Sequence, residues 1–324
     1  MNTIPKVTGL HNILVLRGEG SLGDALISSC CYREIKKANP NTKITVACFG
    51  SAHDFLAHNP HIDEVVRLPV RRLIRPNQRW VSLCLAGLKL RGKNFDLVLD
   101  SSDKNFYNWR LFKWLVGGNR VLDCFTSPVK PFGAPKLHAS EHEKAILRLL
   151  GIENPDGAYD LPIPDKTKQA VDAWLTAQKI GGYVLFNPSG SVAKRRFRPD
   201  IVQALCLSLK ELQLPIVIPA TAEQAPVWQK AIADMPQVYV KQTANVFELF
   251  ELVRRSTAVI TPDTAVVHIA SGFKKPSLVF YNTYSAYNAP LNEKALILQT
   301  EPEDVNQFNW WKMTSLIQQL HTLL

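Results

Sequence analysis

Apolar residues along this chain gather in short blocks, separated by longer stretches in which they recur every three or four positions. In the first half the blocks are "NILVL" (12–16), "KITVACF" (43–49), "EVVRLP" (64–69) and "DLVLD" (96–100). Blocks of that length bounded by turn residues predict buried strands, and the periodic stretches between them predict helices. The clearest helix is "DALISSCCYREIKKA" (24–38); a shorter helical piece precedes "HNP", and a basic, partly amphipathic one spans roughly 78–92. The pattern breaks at "GIENPDGAYDLPIPD" (151–165), whose Pro, Gly and Asp content reads as a linker. It then restarts. Strands are predicted at "YVLFN" (183–187), "PIVIPA" (215–220), "AVITP" (258–262) and "SLVFYN" (277–282). Helices are predicted at "KTKQAVDAWLTAQ" (166–178), "DIVQALCLSLKEL" (200–212), "VFELFELVRRS" (246–256), after "PDT", and at "QFNWWKMTSLIQQLHTLL" (307–324).

Short apolar strands alternating with helices predict parallel α/β layers, here in two halves of similar size. The expectation is an α/β protein of two Rossmann-like domains facing across a cleft, with ligands at the carboxyl ends of the strands. The boundaries read as 1–165 and 166–305, with a terminal helix at 306–324 that packs back toward the first domain.

Composition narrows the class. The 324 residues are 46% hydrophobic and 20% charged, with no low-complexity tract and no internal repeat. No apolar run reaches the roughly eighteen residues that span a bilayer, and the first twelve residues hold no apolar signal core. A cytosolic protein is expected. The six cysteines, at 30, 31, 48, 84, 124 and 206, have no C-x-x-C spacing and read as buried free thiols. The net charge of +10 says more. No acid stands between Glu64 and Asp96, whereas Arg67, Arg71, Arg72, Arg75, Arg79, Lys89, Arg91 and Lys93 do. Such a run is either a solvated face or a surface that meets an anion. Nucleic acid is the weakest of the candidate anions, because the run has one aromatic, Trp80, and no RNA-binding signature.

"LVLRGEGSLGDAL" (14–26) places Gly18, Gly20 and Gly23 at the G-x-G-x-x-G spacing after a strand. A dinucleotide site would need an acid at the end of the next strand, and "VACFGSAHD" has none before Asp54. Glu19 and Asp24 in the turn would also repel a diphosphate. An NAD-dependent oxidoreductase is therefore disfavoured. Asp24 opening a helix either caps that helix or serves as a general base.

Three turns in the second half lie where ligands bind. "FNPSGSVAKRRFRP" offers Ser189 and backbone amides, with Lys194, Arg195 and Arg196, to phosphate oxygens; a solvated basic loop looks the same. "IPATAEQAP" places Glu223 after a strand, as a ribose acceptor or a first-turn helix acid. In "ITPDTAVVHIASGFKKPSLVFY", Asp263 and Thr264 precede a short helix whose first amides face an anion. His268, one turn in, reads by itself as a packed core histidine.

In this order, "LGD", "NPSGS…AKRRF", "AE" and "PDTAVVHIA…KKPSLVFY", the chain resembles glycosyltransferase family 9. Those are ADP-heptose:lipopolysaccharide heptosyltransferases of the GT-B fold, and the resemblance covers nearly the whole chain. It implies that Asp24 is the catalytic base and that Lys194, with Arg195 one position on, contacts the donor's phosphate and sugar; Lys194 is the second catalytic candidate, stabilising charge on the departing diphosphate with Arg195 and the Thr264–Ala265 amides. It further implies that Glu223 holds the ribose, that Asp263 and Thr264 contact the donor heptose and diphosphate, and that His268 belongs to the same motif. Ser189 and the Ala265 amide complete the donor set. Gly23, Arg71, Arg72 and Arg75 are the candidate acceptor contacts. Ala265 departs from the family, which usually has glycine there; its methyl narrows the approach of a phosphate, and alanine enters positive φ only at a cost.

The implied reaction is an inverting, metal-independent transfer of L-glycero-D-manno-heptose from ADP-heptose to a sugar hydroxyl of the lipopolysaccharide inner core. No cofactor and no metal are expected, since "DSSD" (100–103) is not a metal motif. The implied partners are a nucleotide sugar, an anionic glycolipid and, transiently, the cytoplasmic membrane face. Two alternatives stay open: a different nucleotide-sugar donor, and a nucleotide-sugar-binding protein without turnover.

Overall fold

The computed structural model describes residues 4–17, 21–48, 52–68, 76–100, 114–117, 121–123 and 138–324. The chain divides into two compact units, Met1–Asp160 and Leu161–Leu324.

The first unit is built on five strands: β1 (Asn12–Arg17), β2 (Lys43–Cys48), β3 (Glu64–Arg67), β4 (Leu97–Asp100) and β5 (Val121–Asp123). They lie in the order β3-β2-β1-β4-β5, and every pairing is parallel. Leu14, Leu16, Ala47, Val98 and Phe95 meet in one core cluster, and β4 is buried along its whole length. A parallel sheet covered on both faces needs such continuous apolar runs.

The helix expected over 24–38 is two helices, Leu22–Ile27 and Ser29–Ala38. Ser28 and Ser29 interrupt it, their hydroxyls donating back to the carbonyls of Ala25 and Leu26 at 3.1 and 2.6 Å. Serine competes in this way with the helix ladder. The helix Ala139–Leu149 ends in a turn where the Gly151 N–H donates to Arg148 and the Ile152 N–H to Leu147, both at 3.0 Å. Gly151 has φ +89°, a conformation glycine takes without steric cost.

Arg33 ties down the linker that follows. Its guanidinium donates to the carbonyls of Asp156 and Ala158, each at 2.9 Å, and pairs with Asp160. The boundary therefore falls after Asp160, five residues earlier than the linker's end suggested.

The second unit holds β6 (Val184–Phe186), β7 (Ile216–Ala220), β8 (Val238–Gln242), β9 (Ala258–Pro262), β10 (Ser277–Tyr281), β11 (Ala295–Glu301) and β12 (Asp304–Phe308). Their order is β12-β11-β10-β9-β6-β7-β8, parallel except for the β11–β12 pair. The terminal helix is Trp310–Thr322, shorter than expected, because Gln307 and Phe308 belong to β12 and Asn309 caps the helix at the Lys312 amide, 3.0 Å away. Its apolar side, Met313, Leu316, Ile317 and Leu320, enters the core of this second unit with Phe280 and Leu298. That face of the helix is therefore taken up by the second unit's own sheet.

In each sheet the strand order reverses beside the first strand, between β1 and β4 and between β6 and β9. Adjacent loops diverge there at the carboxyl edge, leaving a crevice for ligands. Both candidate sites lie at such a point.

Candidate functional site

In the first unit, β1 leads to Ser21 and the helix Leu22–Ile27. Gly18, Glu19 and Gly20 lie outside the described residues, as do Arg71, Arg72 and Arg75. Ser21 caps the helix: its Oγ accepts from the Asp24 amide at 3.2 Å, and its hydroxyl donates to Asp24 Oδ2. Ser21 and Asp24 thus bond reciprocally, with Asp24 in the third helical position, two residues past the helix start where it was expected but still within the first turn. Gly23 is the second helical residue, and both it and Asp24 are half-buried. Among the described residues nothing else hydrogen-bonds Oδ1 of Asp24.

Beneath this loop, the last residue of β1, Arg17, is buried with Glu143 of the helix Ala139–Leu149. Its two terminal nitrogens meet the two carboxylate oxygens at 3.0 and 3.3 Å, and its Nε donates to the Tyr32 hydroxyl at 3.3 Å. A paired, hydrogen-bonded guanidinium is the form in which a buried charge is tolerated. Sequence reasoning passed over this pair; no local pattern links positions 126 residues apart.

In the second unit, Asn187 follows β6 and organises the switch point. It is 6% exposed, and its Nδ2 donates to Thr261 Oγ1 at 3.0 Å, to Thr264 Oγ1 at 3.3 Å and to the Ser189 carbonyl at 3.0 Å. The loop that follows doubles back on itself. A Cβ on Gly190 would stand 2.5 Å from the Arg195 carbonyl oxygen, so only glycine fits. Arg196 clamps the same loop by donating to the carbonyls of Gly190 and Ser191 at 2.6 and 3.0 Å.

The three consecutive cations thus part company. Lys194 reaches Glu303, beyond β11, at 3.0 Å; Glu303 stands largely in solvent and Lys194 is part-exposed. Arg195 turns inward. It meets Asp263 Oδ2 at 2.8 Å and donates to the Asp263 carbonyl at 3.0 Å. Burial pushes the Asp263 carboxyl above the usual carboxylate range, against the pull of the Arg195 charge.

Thr264 caps the helix Ala265–Gly272, its Oγ1 accepting from the Val266 amide at 3.3 Å. Ala265 is the first helical residue, so its backbone is not left-handed and alanine brings no strain there. First-turn amides of a helix have no acceptor within it. His268 is buried on the same helix. Glu223 stands exposed in the turn after β7, the neighbour of β6.

Asn187, Ser189, Arg195, Asp263 and Thr264 therefore form one connected group, with Ala265 and His268 next to it, whereas Lys194 is turned to Glu303. Two buried atoms of the group, Ser189 Oγ and Arg195 Nε, have no hydrogen-bond partner among the described residues. Buried polar atoms are nearly always paired, and these two stand together at a sheet's switch point. Asn187 and Thr261 were missed as site residues, although the strand-ending asparagine of "FNPSG" was a signal.

Comparison with known proteins bears on this arrangement. The chain is 23% identical over 319 residues to lipooligosaccharide heptosyltransferase 2 of Haemophilus influenzae, with 89% of this chain and 88% of that one covered. Among solved structures it is similar to a glycosyl transferase family 9 protein from Veillonella parvula, with a TM-score of 0.78, 14% identity and 96% and 97% of the two chains covered. It is also similar to ADP-heptose lps heptosyltransferase II of E. coli, with a TM-score of 0.72, 16% identity and 96% and 99% covered. At these identities the structural likeness establishes the fold, which is GT-B. The family model described as glycosyltransferase family 9 (heptosyltransferase) matches residues 137–313, more than half of the chain and all of the Asn187–Arg195–Asp263 group. The chain belongs to glycosyltransferase family 9 and is a glycosyltransferase.

Proposed function

We propose that this enzyme transfers L-glycero-D-manno-heptose from ADP-heptose to a sugar hydroxyl of the lipopolysaccharide or lipooligosaccharide inner core, with inversion and without a metal. Family membership supports the class of reaction. The observation that carries the donor assignment is the pair of unpartnered buried atoms, Ser189 Oγ and Arg195 Nε, beside the amino end of the helix Ala265–Gly272. Hydroxyl, guanidinium and helix amides are donors suited to a diphosphate, and the partial positive charge of a helix N-terminus favours anions.

In this mechanism the acceptor hydroxyl gives its proton to Asp24. The Ser21 hydroxyl occupies Oδ2 and orients the carboxylate, which leaves Oδ1 for the substrate. The oxygen attacks the anomeric carbon on the face opposite ADP, and negative charge grows on the departing diphosphate. Arg195, held by Asp263, stabilises that charge together with the amides at Thr264–Ala265, while Lys194 adds longer-range attraction. Removing one such donor typically raises a barrier by about 3–4 kcal/mol. Glu223 accepts from the ribose hydroxyls.

The basic segment containing Arg71, Arg72 and Arg75 meets the anionic acceptor at the cytoplasmic membrane face. No helix among the described residues is long and apolar enough to cross a membrane.

The test is incubation with ADP-heptose and a panel of truncated lipopolysaccharide acceptors, with mass detection of one added heptose, repeated in the presence of a chelator. Asp24→Asn should lower turnover by about 10²–10⁴-fold and leave ADP binding unchanged. Near-normal turnover in that variant removes Asp24 from the mechanism. Calorimetric titration of ADP, UDP and GDP identifies the base, and preference for UDP or GDP overturns the assigned donor.

A further inference from the structure

The helix Pro76–Arg91 carries an apolar stripe that the fold leaves in solvent. Val81, Leu85 and Leu88 are 60%, 62% and 52% exposed. At 3.6 residues per turn, these three positions lie within about 60° of one another around the helix axis. Leu90, which is fully buried, lies about 170° from the stripe's centre, so the helix already spends a different face on its own core. Single exposed leucines are ordinary, but a register-matched stripe on one face marks a contact surface.

Charge says what the contact is. On the same wheel Lys89 and Arg91 flank the stripe at about 75° and 85° on either side. Both side chains are exposed, and the helix contains no acid. Lys93, just beyond the helix, is already paired with Glu64, whereas Lys89 has no acidic partner among the described residues. Arg91 lies over the ring of Trp114, 5.8 Å from its centroid, and Trp114 is itself 67% exposed. With its opposite face held in the core, the helix offers solvent an apolar strip with cations at both margins and an indole alongside, a surface that suits the boundary between headgroups and acyl chains.

We propose that the helix Pro76–Arg91 is a membrane-docking element: Val81, Leu85 and Leu88 enter the headgroup–acyl boundary while Lys89 and Arg91 engage anionic phospholipid headgroups. This deepens the reading of a lipid-linked acceptor by naming the surface that brings the enzyme to it. A second copy of the chain would bring the same cations to the interface and repel, which favours an anionic bilayer as the occupant.

Sedimentation of the full chain with vesicles tests it, using phosphatidylcholine alone and with about one-third phosphatidylglycerol. Binding should be on the order of tenfold tighter with the anionic lipid and should weaken with salt. The triple variant Val81→Gln, Leu85→Gln, Leu88→Gln should lose binding on the order of 100-fold. Lys89→Glu keeps the stripe and should lose most of the preference for anionic lipid. Heptose transfer to a soluble, deacylated acceptor should be unchanged in the triple variant. A failure of the proposed reaction would instead appear as no transfer by the wild type. Wild-type binding below detection, or triple-variant binding equal to wild type, overturns the proposal. So does a lipid-free dimer that the triple variant abolishes, which would assign the stripe to self-association.

Discussion

Arg195 and Lys194 are neighbours with opposite surroundings, and the difference sets what each substitution does. Arg195 is held at 2.8 Å by a buried carboxylate, whereas Lys194 pairs with the exposed Glu303. Exposed pairs contribute about 0–1 kcal/mol, and hydrogen bonds to charged groups about 1.5–3 kcal/mol. Arg195→Ala should therefore weaken ADP binding roughly tenfold or more, and Lys194→Ala only a few-fold. Calorimetry on the two variants decides, and the reverse ranking returns Lys194 to the central role.

Asp263 adds a pH dependence whose sign follows from its environment. Burial raises its folded pKa above the ordinary 3.8, with Arg195 pulling the other way. A raised carboxyl contributes stability that is present below the unfolded pKa and is lost as pH rises through the folded one. Asp263→Asn should thus gain stability relative to wild type as pH increases upward from about 3.8, read from melting temperatures across that window. A difference that is flat with pH sinks the assignment.

At the scale of elements, the loop between β6 and the helix Pro199–Leu209 is shaped by contact rather than by propensity. Gly190 touches the Arg195 backbone so closely that an added methyl would sit 2.9 Å from the Arg195 Cβ as well as 2.5 Å from its carbonyl oxygen. Backbone cannot move aside as a flexible side chain does. Gly190→Ala should cost about 1–3 kcal/mol and, by displacing Arg195 from Asp263, weaken donor binding. A melting temperature and ADP affinity both equal to wild type would show that the loop accommodates the methyl. The split at Ser28–Ser29 is a second case in which side chains redirect an element: hydrophobic periodicity continues through 24–38, but two back-bonding hydroxyls end the first helix.

At the scale of the whole molecule, the net charge of +10 is unevenly spent. The acid-free interval from Arg67 to Lys93 lies in the first unit, and the cations at the β6 loop lie in the second. Reversing Arg71 and Arg72 to glutamate should raise KM for an anionic acceptor at least tenfold by order of magnitude, with ADP affinity unchanged. Raising ionic strength in the wild type should act in the same direction. Equal loss of donor and acceptor binding would show that the substitutions damage folding instead.

The amino-acid order by itself determined the class of fold. Buried parallel strands must be continuous apolar runs, and β1, β2, β4, β6, β7, β9 and β10 were each visible as one. β3 was visible too, whereas β8, with only Val238, Tyr239 and Val240 before polar residues, and the β11–β12 pair, although β11 opens on the apolar run Ala295–Leu298, were missed. That Asp24, Asp263 and Thr264 follow closely on strand ends was legible as well, because the passage from strand to turn to helix reads locally. Only the tertiary structure decided that Arg195 turns inward while Lys194 turns out, that Asn187 links β6 to β9, and that the last helix serves the second unit's core. Each of these depends on which strands become neighbours. That is settled when distant apolar runs pack together, and no local spacing encodes it.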